Sequence, residues 1–311
     1  MANQTGKNRA ARKRVAAIIL IVFWLPLLVQ ASSCDPLDLD HSELLQLKEE
    51  GYVIADRARR ERFAVELVAC LGDPDPLIRD DIAYEGFVAL LRGKQLRPEA
   101  VKDLLATMTL QLESSAADQP GFRKPFVALV LAEVARADRI DQIFSADERA
   151  GLVAISTSYM RSIRDYRGFD AQDGWRHAVA HTADLQMQLT LNQRVTQAQL
   201  LQIRDAIGSQ IAPPGEHFYI YGENERLARP ILFMAARDAF TDSQWIDWFA
   251  TLAAADPFDS WNDVYASQAG WAKIHNTRAF AEAIYVNAVG SDEVGLQAVA
   301  AGALELLKAM P

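Results

Sequence analysis

The sequence is poor in cysteine, with only Cys34 and Cys70 among its 311 residues. Two cysteines cannot supply the disulfide framework of a small secreted scaffold or a zinc site made of paired cysteines. Cys70 lies in the apolar pattern FAVELVACL, so we expect it to behave as a small buried hydrophobic residue. A Cys34–Cys70 bridge is the alternative in an oxidising compartment.

The chain also lacks long runs of alternating β-branched residues, and this absence argues against a sheet protein. It contains no glycine-rich phosphate loop and no G-x-S-x-G sequence, so neither a phosphate cradle nor a nucleophile elbow is available. Positive charges are outnumbered, with 32 Lys and Arg against 41 Asp and Glu for a net charge of −9, and no basic stripe follows residue 34. We therefore expect no nucleic-acid partner, since phosphates require a positive surface.

Basic residues are concentrated at the N-terminus, where residues 1–14 hold five of them and no acid. An unbroken apolar run follows from Val15 to Val29, and small residues lead to Cys34. This order is typical of a secretory signal, whereas a membrane span needs about 20 apolar residues. The sequence ASSC, residues 31–34, resembles a bacterial lipobox and predicts lipidation at Cys34. We thus predict an exported protein, either a membrane-anchored lipoprotein or a periplasmic one; a retained apolar anchor is the alternative.

Beyond this leader, residues 1–34, apolar residues recur at spacings of three and four, which predicts helices. The clearest cases are residues 61–71, 99–112, 124–137 and 145–163. Ser145, with Glu148 three residues later, forms a capping box, and Pro98 suits a first helical turn. The predicted fold class is all-α, with a short linker and first helix at 35–55 and a single domain at 56–311.

Four predicted helices begin with an arginine in a similar apolar context, at Arg79, Arg123, Arg176 and Arg229. Their successive spacings of 44, 53 and 53 residues fit a helical hairpin with a loop. We predict that such hairpins stack as a short HEAT-like α-solenoid. An irregular helical bundle is the alternative.

The sequence GWRHAVAHTADL, residues 174–185, holds two of the five histidines. At about 100° per helical residue, His177, His181 and Asp184 lie along one stripe, and Trp175 points to the opposite side. Two imidazoles four residues apart can reach one divalent metal ion, with Asp184 as a third ligand. The alternatives are an organic-ligand pocket and a purely structural stripe. Ala178 replaces the glutamate of H-E-x-x-H peptidases, so that class is not supported.

Two further segments could complete such a pocket. HFYIYGENERLARP, residues 217–230, joins aromatic residues to acids and arginines, and WAKIHNTRAFAEAIY, residues 271–285, places polar residues in an apolar helix. A loop packed by its tyrosines and a satisfied buried pair of His275 and Asn276 are the structural alternatives. The predicted ligand-binding residues are Trp175, His177, His181, Asp184, Tyr221, Glu223, Glu225, Arg229 and His275.

Several segments together carry a resemblance, namely ACLGDPDPLIRDDIAYEGF, FRKPFVALVLAEVARAD, DYRGFDAQDGWRHAVAHTADL, GENERLARPILF and KIHNTRAFAEAIY. They resemble a bacterial family filed as domain of unknown function 2785, over about residues 60 to 290. The resemblance implies a compact all-α domain of unassigned biochemistry. It points to Trp175, His177, His181, Asp184, Glu223, Glu225, Arg229 and His275 as functional residues. Asn224 stands where an acid is expected.

Three functions are compatible with these patterns. The first is a cell-envelope module that binds a peptide or small molecule around His177, His181 and Asp184. The second is a metal-dependent hydrolase that uses His177, His181 and a carboxylate from residues 223–225. The third is an envelope scaffold whose polar stripes only join helices. The other expected partner is the membrane, reached through the leader or a lipid anchor.

Overall fold

The computed structural model describes residues 1–2, 34–116, 118 and 120–310. The apolar run Val15 to Val29 lies outside the described residues, as does most of the predicted leader. Within the described ranges, no helix is both long and apolar enough to cross a bilayer.

Helices make up most of the described chain, and the all-α prediction is confirmed. They are α1 (His41–Glu49), α2 (Arg57–Cys70), α3 (Glu85–Arg92), α4 (Pro98–Glu113), α5 (Arg123–Asp141), α6 (Ala146–Ser162), α7 (Ala178–Leu191), α8 (Gln197–Ile211), α9 (Glu223–Ala236), α10 (Asp242–Leu252), α11 (Trp261–Val264), α12 (Gln268–Ala288) and α13 (Val294–Ala309). A 3-10 turn spans Pro36–Asp38, and a π-helical segment, Leu77–Tyr84, runs directly into α3.

Local signals in the sequence account for several helix starts. Ser145 accepts a hydrogen bond from the backbone of Glu148, whose carboxylate accepts one from the backbone of Ser145, so the predicted capping box is confirmed. Pro98 opens α4 as predicted. The short strands β1 (Phe169–Asp170) and β2 (Gly174–Trp175) form an antiparallel hairpin immediately before α7.

The helices are arranged in two layers. In one layer α3, α5, α7, α9 and α12 pack in that order, each against the next, and in the other α2, α4, α6 and α8 do the same. Consecutive helices from α2 to α9 therefore alternate between layers, which is the packing of stacked hairpins. α13 packs against α12 and α10. The buried core includes Phe63, Phe87, Phe122, Trp245 and Phe280.

The four aligned arginines do not occupy equivalent positions. Arg79 is fully buried in the π-helical segment, whereas Arg229 lies inside α9 with its side chain 48% exposed. The predicted register is wrong at Arg229, because α9 begins six residues earlier, at Glu223. Its N-cap Gly222 has φ 83°, a left-handed conformation that glycine adopts without steric cost.

The two cysteines are joined, in contrast to the predicted lipidation at Cys34. Their sulfurs form a disulfide, with the Cα atoms 5.0 Å apart, and Cys70 is buried as predicted. A sulfur held in a disulfide cannot carry a lipid at the same time. In this structure the chain adopts the alternative that the sequence left open, a bridge from the segment before α1 to the last residue of α2.

Candidate functional site

The predicted stripe requires His177 and His181 to lie on one helix, but α7 begins only at Ala178. His177 precedes α7 and has a left-handed backbone, with φ 57° and ψ 39°. The adjacent hairpin holds it there, because the N–H groups of Arg176 and His177 donate to the carbonyls of Gly168 and Arg167 at 3.0 and 3.1 Å. The predicted placement of Trp175 on the opposite side is therefore wrong. Its ring stacks on that of His177, with the centroids 4.8 Å apart.

Trp175, His177, His181 and Glu223 form a compact group that we term the histidine cluster. The ring centroids of the two histidines are 5.6 Å apart, and Nε2 of His177 lies 3.6 Å from Oε1 of Glu223. Phe126 of α5 places its ring edge-on against His181, at 5.2 Å between centroids. Both histidines are 7% exposed and Glu223 is 2% exposed. The structure thus brings together four of the predicted site residues.

Burial sets the protonation of the cluster. Desolvation lowers the pKa of His177 to about 4 and that of His181 to about 3, and the positive charge of Arg226 acts in the same direction. Loss of water raises the pKa of the Glu223 carboxyl above its ordinary value. At neutral pH the cluster therefore presents two uncharged imidazoles beside a carboxyl group that binds a proton more readily than an exposed glutamate does.

Two ring nitrogens of the cluster, Nε2 of His177 and Nδ1 of His181, have no hydrogen-bond partner among the described residues. Glu223 holds its place through Oε2, which accepts the backbone N–H of Tyr221 at 2.9 Å. Its other oxygen, Oε1, faces His177. Because buried polar atoms are normally paired, these nitrogens are available to a ligand group.

An aromatic rim, formed by Phe169, Trp175 and Tyr221, adjoins the cluster. Trp175 lies 5.1 Å from Phe169 and 5.7 Å from Tyr221 between ring centroids. Phe169 and Tyr221 are 47% and 36% exposed. Gly168 permits this packing, because a Cβ there would lie 2.1 Å from the Tyr221 ring. The outer surface of the site is therefore apolar, with polar groups buried behind it.

Asp184 does not join the histidines. Its carboxylate pairs closely with the guanidinium of Arg226 and lies 4.0 Å from that of Arg229. No group of three His, Cys, Asp or Glu side chains in the described part of the chain is placed to hold a metal ion. The predicted metal set of His177, His181 and Asp184 is therefore wrong, because the Asp184 carboxylate pairs with the arginines of α9 instead.

The remaining predicted residues lie around the site rather than in it. Glu225 is exposed on the first turn of α9. Nε2 of His275 contacts the carbonyl of Tyr219 at 3.1 Å, and Asn276 accepts the Tyr219 N–H and donates to the carbonyl of His217. Both residues thus fasten the loop before α9, but only Asn276 is buried as the structural alternative predicted, because His275 is exposed.

The sequence pattern identified Arg79 and Arg176 only as repeat arginines and did not predict that they hold the hairpin. Arg79 is 0% exposed, and its guanidinium lies 4.1 Å from the ring centroid of Phe122, which Arg176 also contacts at 4.3 Å. Arg79 pairs with Asp80 at 2.8 Å and donates to the carbonyl of Asp173, in the hairpin turn, at 2.9 Å. Asp173 is 94 residues away along the chain, so no local pattern could have indicated this contact.

Phe126 and Trp175 place their rings against His181 and His177, and two cavities lie elsewhere in the fold. A cavity of about 660 Å³ is lined by residues of α8 and α10, and one of about 410 Å³ by residues of α10 and α13. Entry of a ligand to His177 and His181 therefore requires movement of the aromatic rim.

The fold and the site define a two-layered helical protein with a buried imidazole–carboxyl group beside an aromatic hairpin. The chain belongs to the family described as Protein of unknown function (DUF2785), whose model matches residues 104–286, and the predicted resemblance is confirmed. The match includes the histidine cluster and the rim. No curated protein and no solved structure matches the chain significantly.

Proposed function

We propose that this chain is a cell-envelope helical-repeat protein of the HEAT-like type that binds a peptide or small-molecule ligand at the histidine cluster. The observation that carries the proposal is the pair of unpartnered imidazole nitrogens on His177 and His181, each in a side chain only 7% exposed. Leaving such atoms buried without a partner costs about 1–3 kcal/mol each, which a bound polar group would recover.

The surroundings indicate the chemistry of the ligand. Neutral imidazoles and a carboxyl of raised pKa suit an uncharged polar group that can both donate and accept hydrogen bonds. The aromatic rim would cover the apolar part of the same ligand. Trp175 and Tyr221 must move outward for entry, so we place them at the opening of the site.

We expect purified protein to give a thermal shift with members of a library of short peptides and polar metabolites. Affinity for such hits, measured by calorimetry, should fall at least about tenfold in His177→Gln, which removes the imidazole, and in Glu223→Gln, which replaces a carboxyl oxygen by an amide NH2 that can only donate. His41→Gln is the matched control, since His41 is exposed on α1. Hits that bind His177→Gln as tightly as the unmodified protein would contradict the proposal.

A second candidate function, the metal-dependent hydrolase, is supported by one distance, the 3.6 Å between His177 and Glu223. It requires His177, His181 and Glu223, which are not placed to hold a metal ion in this structure, to move together around a divalent ion that activates water. Elemental analysis of the same preparations decides between the two. Stoichiometric metal that is lost in His177→Ala and in His181→Ala would favour the hydrolase and displace the binding proposal.

We extend the proposal to the compartment. The leader supports export, and the Cys34–Cys70 pair supports an oxidising environment. Because both cysteines are buried, we expect iodoacetamide added to the denatured protein to leave both unmodified before reduction and to modify both after it, as read by peptide mass spectrometry. A lipid mass on the Cys34 peptide would reject the disulfide and restore the lipoprotein prediction. Cys34→Ser then provides the control, since it should leave Cys70 as a free thiol that reacts in the denatured protein without reduction.

A further inference from the structure

The start of α7 has unsatisfied backbone donors. His177, the residue before the helix, provides no side-chain cap, and its carbonyl already accepts the N–H of His181. The N–H groups of Ala178, Val179 and Ala180 donate to no partner within the described ranges. These three residues are 5%, 2% and 0% exposed. A buried helix N-terminus without a cap is unusual, because its amides carry partial positive charge that needs an acceptor.

A cavity of about 180 Å³ adjoins this terminus. Ala178 contributes to its lining together with Lys124 and Pro125 from the first turn of α5 and Tyr159 and Ser162 from the end of α6. The cavity therefore lies at the start of α7 and beside the first turn of α5, where the Asp118 carboxylate already accepts the Lys124 N–H. Helix N-termini are suited to bind anionic oxygen atoms.

Tyr159 provides a second and independent observation. Its side chain lines the cavity and is 9% exposed, yet its hydroxyl makes no hydrogen bond to any described residue. Burial raises the pKa of this phenol, so it remains a hydrogen-bond donor at neutral pH. A hydroxyl without a partner in the described chain and the N-terminus of α7, which reaches the lining through Ala178, thus meet at one small cavity.

The charges around the cavity limit the ligand. Lys124 and Arg164 are balanced by Asp118 and Asp165. Asp118 accepts the backbone N–H groups of Gly121 and Lys124 at 3.2 and 3.0 Å, and Asp165 pairs with Arg167. The side chains therefore add no net positive charge to the helix dipole. This balance favours a singly charged anion over a phosphate dianion.

We propose that this cavity binds a small monocarboxylate, whose oxygen atoms accept hydrogen bonds from the first-turn amides of α7 and from the hydroxyl of Tyr159. The site uses different side chains from the histidine cluster and does not depend on the proposed function. A simple carboxylic acid and an α-amino acid offer the same group, and in the second the ammonium would face Asp118 or Asp165.

The experiment is a titration of isotopically labelled protein with acetate, L-alanine and inorganic phosphate, followed by amide NMR. We expect saturable shifts at Ala178, Val179 and Ala180 with acetate, with L-alanine or with both, and the tighter ligand identifies the source of the carboxylate. Tyr159→Phe should weaken binding about five- to tenfold. Tyr265→Phe, which alters an exposed tyrosine after α11, is the matched control.

A second variant protects the test against a folding defect. Ser162 is exposed at the cavity, so Ser162→Trp fills the space from the surface and should abolish the shifts. Glu223→Gln, on α9 and outside the lining of this cavity, should leave them intact, which separates failure here from failure of the histidine site. The proposal is overturned if neither carboxylate gives saturable shifts, if Tyr159→Phe binds as tightly as the unmodified chain, or if phosphate binds more tightly than both carboxylates.

Discussion

Replacement of Asp138 by alanine is expected to lower the free energy of unfolding by about 3–5 kcal/mol. Asp138 is 1% exposed near the end of α5, and its carboxylate accepts hydrogen bonds from the backbone of Phe144, from Arg149 and from Asn192, at 2.7, 2.9 and 2.8 Å. The contacts join α5 to the start of α6 and to the residue after α7. The substitution leaves the 5%-exposed Arg149 as a buried cation without its counter-ion.

Urea unfolding followed by circular dichroism measures this loss. The matched control is Asp141→Ala, which removes a carboxylate three residues further along the same helix. Asp141 pairs with Lys94 at 2.5 Å, but the side chains are 38% and 62% exposed, so the pair should contribute less than about 1 kcal/mol. Equal losses in the two variants would refute the role assigned to the buried network. A small loss in Asp138→Asn would show that its hydrogen bonds matter more than its charge.

The helices could be predicted because their causes are local. Apolar spacing, the capping box at Ser145 and the proline at the start of α4 act within one or two turns. The repeat register could not be read in the same way. Arg79 and Arg229 have similar sequence neighbours, but one is enclosed by a π-helical segment and a remote hairpin, and the other lies on the surface of α9. Those environments depend on tertiary contacts.

In the site, too, the local features could be predicted and the tertiary contacts could not. The four-residue spacing of His177 and His181 predicted their proximity, and the rings do meet, but for a different reason. His177 reaches His181 from a left-handed turn rather than from the helix itself. Asp184 was placed correctly on α7, yet its partner Arg226 is 42 residues away and removes it from the cluster. Helical geometry therefore predicts which side chains of one helix are neighbours. It does not predict that an arginine of another helix will pair with one of them.

Replacement of Arg79 by methionine is expected to cost a similar 3–5 kcal/mol and also to loosen the hairpin of the site. The buried guanidinium is the donor to the carbonyl of Asp173 and the cation beside Phe122 and Asp80. Methionine fills part of the volume but leaves those polar groups unpaired. Arg79→Lys should recover only part of the loss, because an ammonium cannot reproduce the forked geometry.

Hydrogen exchange tests whether this loss reaches the histidine cluster. The N–H groups of Arg176 and His177, bonded to the carbonyls of Gly168 and Arg167, should exchange faster in Arg79→Met than in Arg59→Met, a control on an exposed arginine of α2. Faster exchange confined to these amides would mean that Arg79 positions Trp175 and His177 from the neighbouring helical segment. The alternative result is a lower free energy of unfolding with unchanged exchange at these amides. It would mean that the strand pairing and the Trp175–His177 stack are sufficient to hold the site, and that Arg79 stabilises only the core.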